Sequence, residues 1–375
     1  MIYPDFEAEQ WMTEYEQKAV HNLTDSSISA LTFSELASLE PQLLQGLRLD
    51  YGEITGDHRL KREILSFYRD RDEETLTLTN GCLQANKDAM EVLLTPGDHV
   101  IVFTPGYQQY REVPLQLGCQ VTELPLVQDE WTYPLELLEE ALQPSTKLVV
   151  LNSPGNPTGC RLSTEQMKEL AAMAEEHDFW ILCDEVYMLP DEKHPSLADF
   201  SQRAVVTGSL SKTLGLSGLR LGWIKGRKEI IHAINVGRDY SFISTGPLRD
   251  VLAYIALKHK DELLKRSAQI VERNKDITRN WLTGQSLFSC RIPEAGTVGF
   301  LKLPGLQNSK NFARALLEET GIFLLPGACF GYEEYFRLGF GQEHDRLEDV
   351  LKKLESFAAA WMAADHHTVN DREMM

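Results

Sequence analysis

Four short, nearly uninterrupted apolar runs punctuate the middle of the chain, at residues 99–104, 147–152, 180–183 and 204–209. A strand with one wet face alternates polar and apolar residues. A run without that alternation suits a strand covered on both faces, as in a parallel sheet. A β-rich run at 75–79 leads into Asn80-Gly81, and helical stretches occupy 60–68, 84–94, 135–142, 164–177 and 229–236. Strands alternating with helices predict an α/β fold with a large, doubly wound, mostly parallel or mixed sheet. From about Ser286 the texture changes. Strand-like runs at 298–303, 323–325 and 335–340 mix with helical stretches at 312–320 and 343–361, which predicts a smaller α+β domain. The polar residues 365–375 are expected to fray.

Composition excludes several classes of function. Lys and Arg number 37 against 56 Asp and Glu, a net charge of −19, which disfavours nucleic acid and anionic membrane surfaces as partners. No stretch approaches the ~20 apolar residues of a membrane helix. The chain starts Met1-Ile2-Tyr3-Pro4-Asp5 without a basic segment or an apolar one, so no signal peptide is expected. Its six cysteines are far apart and form no C-x-x-C pair, which reads as reduced thiols in the cytoplasm. P-loop, G-x-G-x-x-G and H-E-x-x-H patterns are absent, and no metal site is expected.

Ligands of open α/β sheets sit at the carboxyl ends of the strands, so the loops after the apolar runs matter most. After the run at 147–152 comes Asn152-Ser153-Pro154-Gly155-Asn156-Pro157-Thr158-Gly159, a stiff turn that holds Asn156 at the sheet edge and that could also be an ordinary loop. Asp184-Glu185-Val186-Tyr187 comes after the next run. A carboxylate buried there needs a cationic or protonated partner, unless it only caps a helix. The last run leads into Ser209-Leu210-Ser211-Lys212, with Arg220 eight residues beyond Lys212 in a Gly-rich stretch. Hydroxyls with an arginine suit a phosphate, and a lysine in a dry site becomes nucleophilic. A surface lysine beside a structural arginine is the plainer alternative.

These three segments, in this order and spacing, resemble the class I/II aminotransferases of the fold-type I pyridoxal-phosphate enzymes. The resemblance spans about Ser34 to Trp361. It implies pyridoxal 5'-phosphate as cofactor, joined to Lys212 as a Schiff base, with Asp184 facing the ring nitrogen. Asn156 and Tyr187 would bond the ring's phenolic oxygen. Ser209, Ser211 and Arg220 would hold the phosphate with Gly81-Cys82-Leu83, the turn that opens a helix. Many relatives carry Ser, Gly or Ala where Cys82 stands. Tyr107, in Pro105-Gly106-Tyr107, would stack on the cofactor. Tyr51 would reach the phosphate of a neighbouring subunit, which implies a homodimer. Arg337 would clamp the substrate α-carboxylate, a task suited to its planar fork. Relatives that act on acidic substrates add a second arginine, and no position here is identified for it. The same resemblance places a large cofactor domain over 47–283 and forms the small domain from 1–46 and 284–375.

A closer likeness points to the capreomycidine synthase-like branch, whose chemistry is cyclisation of a hydroxylated arginine by elimination and readdition. It is carried by Ser26-Ser27, Thr32-Phe33-Ser34-Glu35-Leu36, Arg238-Asp239-Tyr240, Ser244, Ala295-Gly296-Thr297 and Pro326-Gly327-Ala328-Cys329-Phe330-Gly331. Ser27 stands where that branch has glycine, in a segment that lines the substrate pocket. The leading expectation is transfer of an amino group between an amino acid and a 2-oxo acid, with Lys212 as the proton carrier. Elimination or cyclisation on the same cofactor is the alternative. A ligand-binding regulator without catalysis is disfavoured, because nothing basic or helix-turn-helix-like precedes Ser34.

Overall fold

The computed structural model of the chain describes residues 3–364, so the fraying expected of 365–375 lies outside it. Its strands are β1 (His21–Asn22), β2 (Leu76–Thr79), β3 (His99–Thr104), β4 (Gln120–Pro125), β5 (Thr146–Asn152), β6 (Trp180–Asp184), β7 (Ala204–Ser209), β8 (Gly222–Lys225), β9 (Val298–Lys302), β10 (Ile322–Phe323), β11 (Leu325–Pro326) and β12 (Tyr335–Gly339). Seven of them form one sheet in the order β2-β8-β7-β6-β5-β3-β4. Only β8 runs against its neighbours, so the sheet is mixed and mostly parallel. The apolar runs behave as their pattern demands: every residue of β7 is buried, as are all but one in β3, β5 and β6. Fully burying one Leu or Val side chain contributes ~1.5–3 kcal/mol, so these strands dominate the core's stability.

Two strands differ from the sequence expectation. β4 (QVTELP) is the exposed sheet edge, and its polar residues hide it from a search for apolar runs while protecting the edge from pairing with another chain. The strand expected over 323–325 is in fact two. β10 pairs with β1 in parallel, while β11 pairs with β12, with Leu324 between them as the step from one sheet to the other.

β11, β12 and β9 form a small antiparallel sheet. Its apolar cluster includes Phe336, Leu338 and Leu351 from the C-terminal part of the chain, and Leu23 and Ile28 from the N-terminal part. The long helix Lys260–Thr283 joins the two cores: Leu263 packs in the main one, and Ile270, Val271 and Trp281 pack in the second.

The N-terminal segment is threaded tightly through this frame. Gly339 N–H donates to Leu23 O at 2.8 Å, and Ser29 N–H to Gly341 O at 2.8 Å. A Cβ at Gly339 would run into the carbonyl oxygen of Asp25, so only glycine allows this approach. Gly339→Ala is therefore expected to destabilise the protein by ~1–3 kcal/mol through overpacking. Denaturant unfolding of the variant measures it, and an unchanged midpoint would contradict the close approach.

Candidate active site

The register of the central sheet gathers the reactive loops on one edge. Asn152 pairs with Asp184, Asp184 with Thr207, Ser209 with Gly222, and Thr79 with Gly222. A cavity of about 450 Å³ opens there, and Cys82, Leu83, Tyr107, Asn156, Asp184, Tyr187, Ser209, Ser211, Lys212, Arg220 and Arg337 line it. Three other residues singled out in the sequence do not line it. Gly81 precedes the helix whose first residues do, Ser27 Oγ accepts from Lys212 Nζ at 3.3 Å, and Tyr51 is 65% exposed.

One end of the cavity is built for an anion. The helix Cys82–Leu93 starts there after Gly81, whose φ is 82°, and no side chain caps it. The first amides of a helix have no intrahelical acceptor, so they are free to receive a phosphate. A Cβ on Gly81 would stand 2.8 Å from Arg220 Nη2, so glycine keeps the guanidinium close. Arg220 itself has φ 48°, a left-handed conformation that costs roughly 1–2 kcal/mol. Its carbonyl accepts from Arg249 Nη1 at 3.2 Å, and its own Nη1 donates to Ser217 O at 3.2 Å. Ser209 Oγ accepts from the Ser211 N–H at 3.2 Å, which aims that hydroxyl.

Asp184 forms the opposite end. Its Oδ2 accepts from Asn86 Nδ2 at 2.7 Å and from Tyr110 OH at 3.0 Å. Its Oδ1 accepts from Val186 N–H at 2.9 Å and from Cys82 Sγ at 3.3 Å. Asn152 Nδ2 donates to the Asp184 carbonyl at 2.7 Å and its Oδ1 accepts from Asn156 N–H at 2.8 Å, which ties the Asn156 turn to the strand end. Asn86 and Tyr110 escape sequence reasoning. The available signals were their offsets, one helical turn beyond Cys82 and beyond Tyr107.

Lys212 lies between the two ends. Its Nζ donates to Ser26 Oγ at 2.8 Å and Ser27 Oγ at 3.3 Å, and stands 6.0 Å from the Tyr187 ring centre. Burial of the ammonium, with the Arg337 charge second, pushes its pKa down to about 8. Burial also pushes Tyr187 up to about 12, so that its hydroxyl keeps its proton. Arg337 reaches in from β12. Its Nε donates to Thr24 O at 3.1 Å and its Nη1 to Asn156 Oδ1 at 3.3 Å, which fixes the guanidinium plane. The N-terminal segment supplies a wall with Asp25 and Ser26, from the stretch expected to line the pocket, and with Glu9 and Met12, which the sequence did not reveal. Tyr107 OH donates to Glu9 Oε1 at 2.8 Å, and Thr297 Oγ1 to Ser26 O at 2.5 Å.

An uncapped helix start with an arginine, a half-buried amine of lowered pKa and a carboxylate at the far end fit a phosphorylated pyridine aldehyde. The uncapped first turn at Gly81 and Cys82 is the structural feature that tests this fit, and it accommodates a phosphate.

The sequence profile of the family described as aminotransferase class I and II matches residues 19–354. Capreomycidine synthase of Streptomyces vinaceus is 29% identical over 353 residues, 92% of this chain and 91% of that protein. An aspartate aminotransferase of Geobacillus stearothermophilus is 30% identical over 320 residues, 80% of this chain and 81% of that protein. Among solved structures, a PLP-dependent aminotransferase from Streptococcus suis superposes with a TM-score of 0.91 at 34% identity, over 96% of this chain and 99% of that one.

The lowered Lys212 pKa has a direct consequence. Below pH about 8 the side chain is mostly the unreactive ammonium, and above it mostly the free amine. Competitive acylation of the chain freed of any bound ligand, with acetic anhydride and read by mass spectrometry, is expected to show a half-maximal Lys212 rate near that pH. Exposed lysines should reach theirs at ~10.4. Arg337→Met removes the second cause and should raise the Lys212 midpoint. A Lys212 that titrates with the exposed lysines would show that the cavity does not desolvate it.

Proposed function

The chain belongs to the class I and II aminotransferases, and from that premise we propose that it moves an amino group between an amino acid and a 2-oxo acid. The family depends on pyridoxal phosphate, which when bound supplies an electron sink for the substrate α-carbon. The observation that carries the reading is Lys212, a desolvated amine lying between an anion site and a fixed carboxylate.

Each residue then has a task. The Cys82 and Leu83 amides, Ser209, Ser211 and Arg220 would hold the phosphate, Tyr107 would cover the ring, and Asp184 would face the ring nitrogen. Asn156 and Tyr187 would bond the phenolic oxygen, with Tyr187 as the donor because its hydroxyl stays protonated. Arg337 would grip the α-carboxylate and so present the α-carbon to Lys212. Lys212 Nζ, as the free amine, would take the substrate α-proton and deliver it to the cofactor's aldehyde carbon, two bonds from the α-carbon. Ser26 and Ser27 hold Nζ on the side of the Arg337 clamp. Glu9 and Asp25 also line the cavity, and Arg220 and Arg337 are the arginines that do. A substrate with a second carboxylate would therefore meet like charge, which argues for donors other than aspartate and glutamate.

We further place the cofactor on a unit spanning 47–283, with 1–46 and 284–375 carrying Arg337, and we place the protein in the cytoplasm. The six unpaired cysteines suit that compartment, and among the described residues no helix is long and apolar enough to cross a membrane. A homodimer is part of the proposal. Leu49, Tyr51, Tyr240 (92% exposed) and Leu248 are exposed, and Ser244 Oγ binds Tyr51 O at 2.8 Å, so the two segments form one surface. That surface abuts the phosphate end, because Arg249 bonds both Asn80 and Arg220. Tyr51 would serve the partner's phosphate site.

Elimination or cyclisation on the same cofactor is a second reading, favoured by the likeness to capreomycidine synthase along nearly the whole chain.

Three outcomes are expected. Purified protein should be yellow, and borohydride should fix the cofactor to the peptide containing Lys212, whereas Lys212→Ala should lose both the attachment and nearly all turnover. Holoenzyme mixed with a panel of amino acids should accumulate pyridoxamine phosphate, with aspartate and glutamate among the slowest donors. If it never accumulates, and ammonia or a cyclic product forms instead, the second reading replaces the first. Sedimentation should give twice the chain mass, and Tyr51→Phe should weaken cofactor retention without changing that mass.

A further inference from the structure

We propose that Cys82 and Asn86 are positioning residues, which fix Asp184 against the cofactor's ring nitrogen so that one helix gauges both ends of the cofactor. The proposal rests on the assignment of pyridoxal phosphate to this cavity. Both residues lie on the helix Cys82–Leu93, four positions apart and therefore on one face. Each addresses a different oxygen of Asp184: Asn86 Nδ2 reaches Oδ2 at 2.7 Å, and Cys82 Sγ reaches Oδ1 at 3.3 Å.

Thr207 locks the pair, and the protons can be assigned from the chemistry of the groups. Asn86 Oδ1 can only accept, so the Thr207 hydroxyl, 2.6 Å away, donates to it. The Thr207 oxygen then has only lone pairs left for Cys82 Sγ at 3.2 Å. The carboxylate has only lone pairs too, so the thiol is the donor, its single proton shared between Thr207 Oγ1 and Asp184 Oδ1. Burial, and then the Asp184 charge, push that thiol well above its ordinary pKa, so it keeps its proton. The remaining Asn86 amide hydrogen points to Gln109 Oε1 at 3.3 Å, and Gln109 Nε2 is held by Leu83 O at 2.6 Å. The Asn86 amide therefore cannot flip without losing bonds on both sides.

The same helix opens with the uncapped amides of Cys82 and Leu83 at the anion site. Its first turn sets the phosphate end, and its Cys82 and Asn86 side chains set the carboxylate that faces the other end. A helix backbone is stiff, so the distance between the two anchors is fixed before any cofactor enters.

The test compares pyridoxal phosphate with its 1-deaza analogue, in which C–H replaces the ring nitrogen. Both are titrated into the full-length chain freed of cofactor, and dissociation constants are read by fluorescence. The wild type is expected to prefer the nitrogen compound. Asn86→Leu should shrink that preference about tenfold, the worth of one hydrogen bond to a charged group. Cys82→Ala should shrink it about threefold, as suits a weaker thiol donor. Neither variant should bind the deaza analogue more weakly than the wild type does. Equal losses for both ligands would mean that the residues only support the fold, and an unchanged preference would mean that Asp184 needs neither of them; either result overturns the proposal. If Asn86→Leu does not fold, the smaller Cys82→Ala change decides by the same criteria. A wild-type chain that binds neither compound removes the cofactor reading, whereas one that binds both equally keeps that reading and overturns this proposal alone.

Discussion

An ionised carboxylate at the end of a buried strand is tolerable only when its oxygens are saturated with donors, because water cannot reach it. Asp184 occupies that position, and the surrounding fold converges on it. The Cys82–Leu93 helix, the segment that carries Tyr110, and the backbone after β6 each send a donor. Supplying those donors fixes where the helix sits over the sheet. The helix position in turn fixes the anion site at its first turn. The geometry of the cavity thus results from satisfying one charge.

The neighbouring carboxyl group takes the other course. Glu185 is buried beside Asp184, and its Oε1 accepts from Ser196 Oγ and the Leu197 N–H, both at 2.9 Å. Burial pushes its pKa up to about 8, so it is mostly protonated at neutral pH. Two consecutive acidic residues thus face opposite sides of the sheet and meet different partners. Alternation along an extended chain is enough to separate them.

Features set by local pattern were legible in the sequence. β3 and β7 carry the boundaries that their apolar runs indicate, because burial on both faces leaves little ambiguity. β8 was hidden inside a Gly-rich stretch that reads as a loop, although Trp223 and Ile224 fill the core there. The helices Pro247–Lys258 and Lys260–Thr283 were not read either. The second of them packs against two cores in turn, so no single apolar stripe runs its length. At the site, Lys212, Asn156 and Arg220 stand in loops whose composition is unusual for surface turns, and Asp184 is an acidic residue closing an apolar strand. Asn86, Tyr110 and Glu9 have no local signature, since their significance comes from residues far away in sequence.

The placement of β8 also governs when the cavity can exist during synthesis. β2 and β7 do not touch until β8 slides between them, pairing Thr79 and Ser209 with the same residue, Gly222. These are long-range contacts that close only after large loops have formed, the slow kind of assembly. A chain still on the ribosome therefore has the helix whose uncapped start opens on the cavity long before it has Arg220 beside it, and it acquires Arg337 last. Cofactor capture becomes a late event that distinguishes finished chains from truncated ones, and the bound cofactor then stabilises the completed topology by mass action.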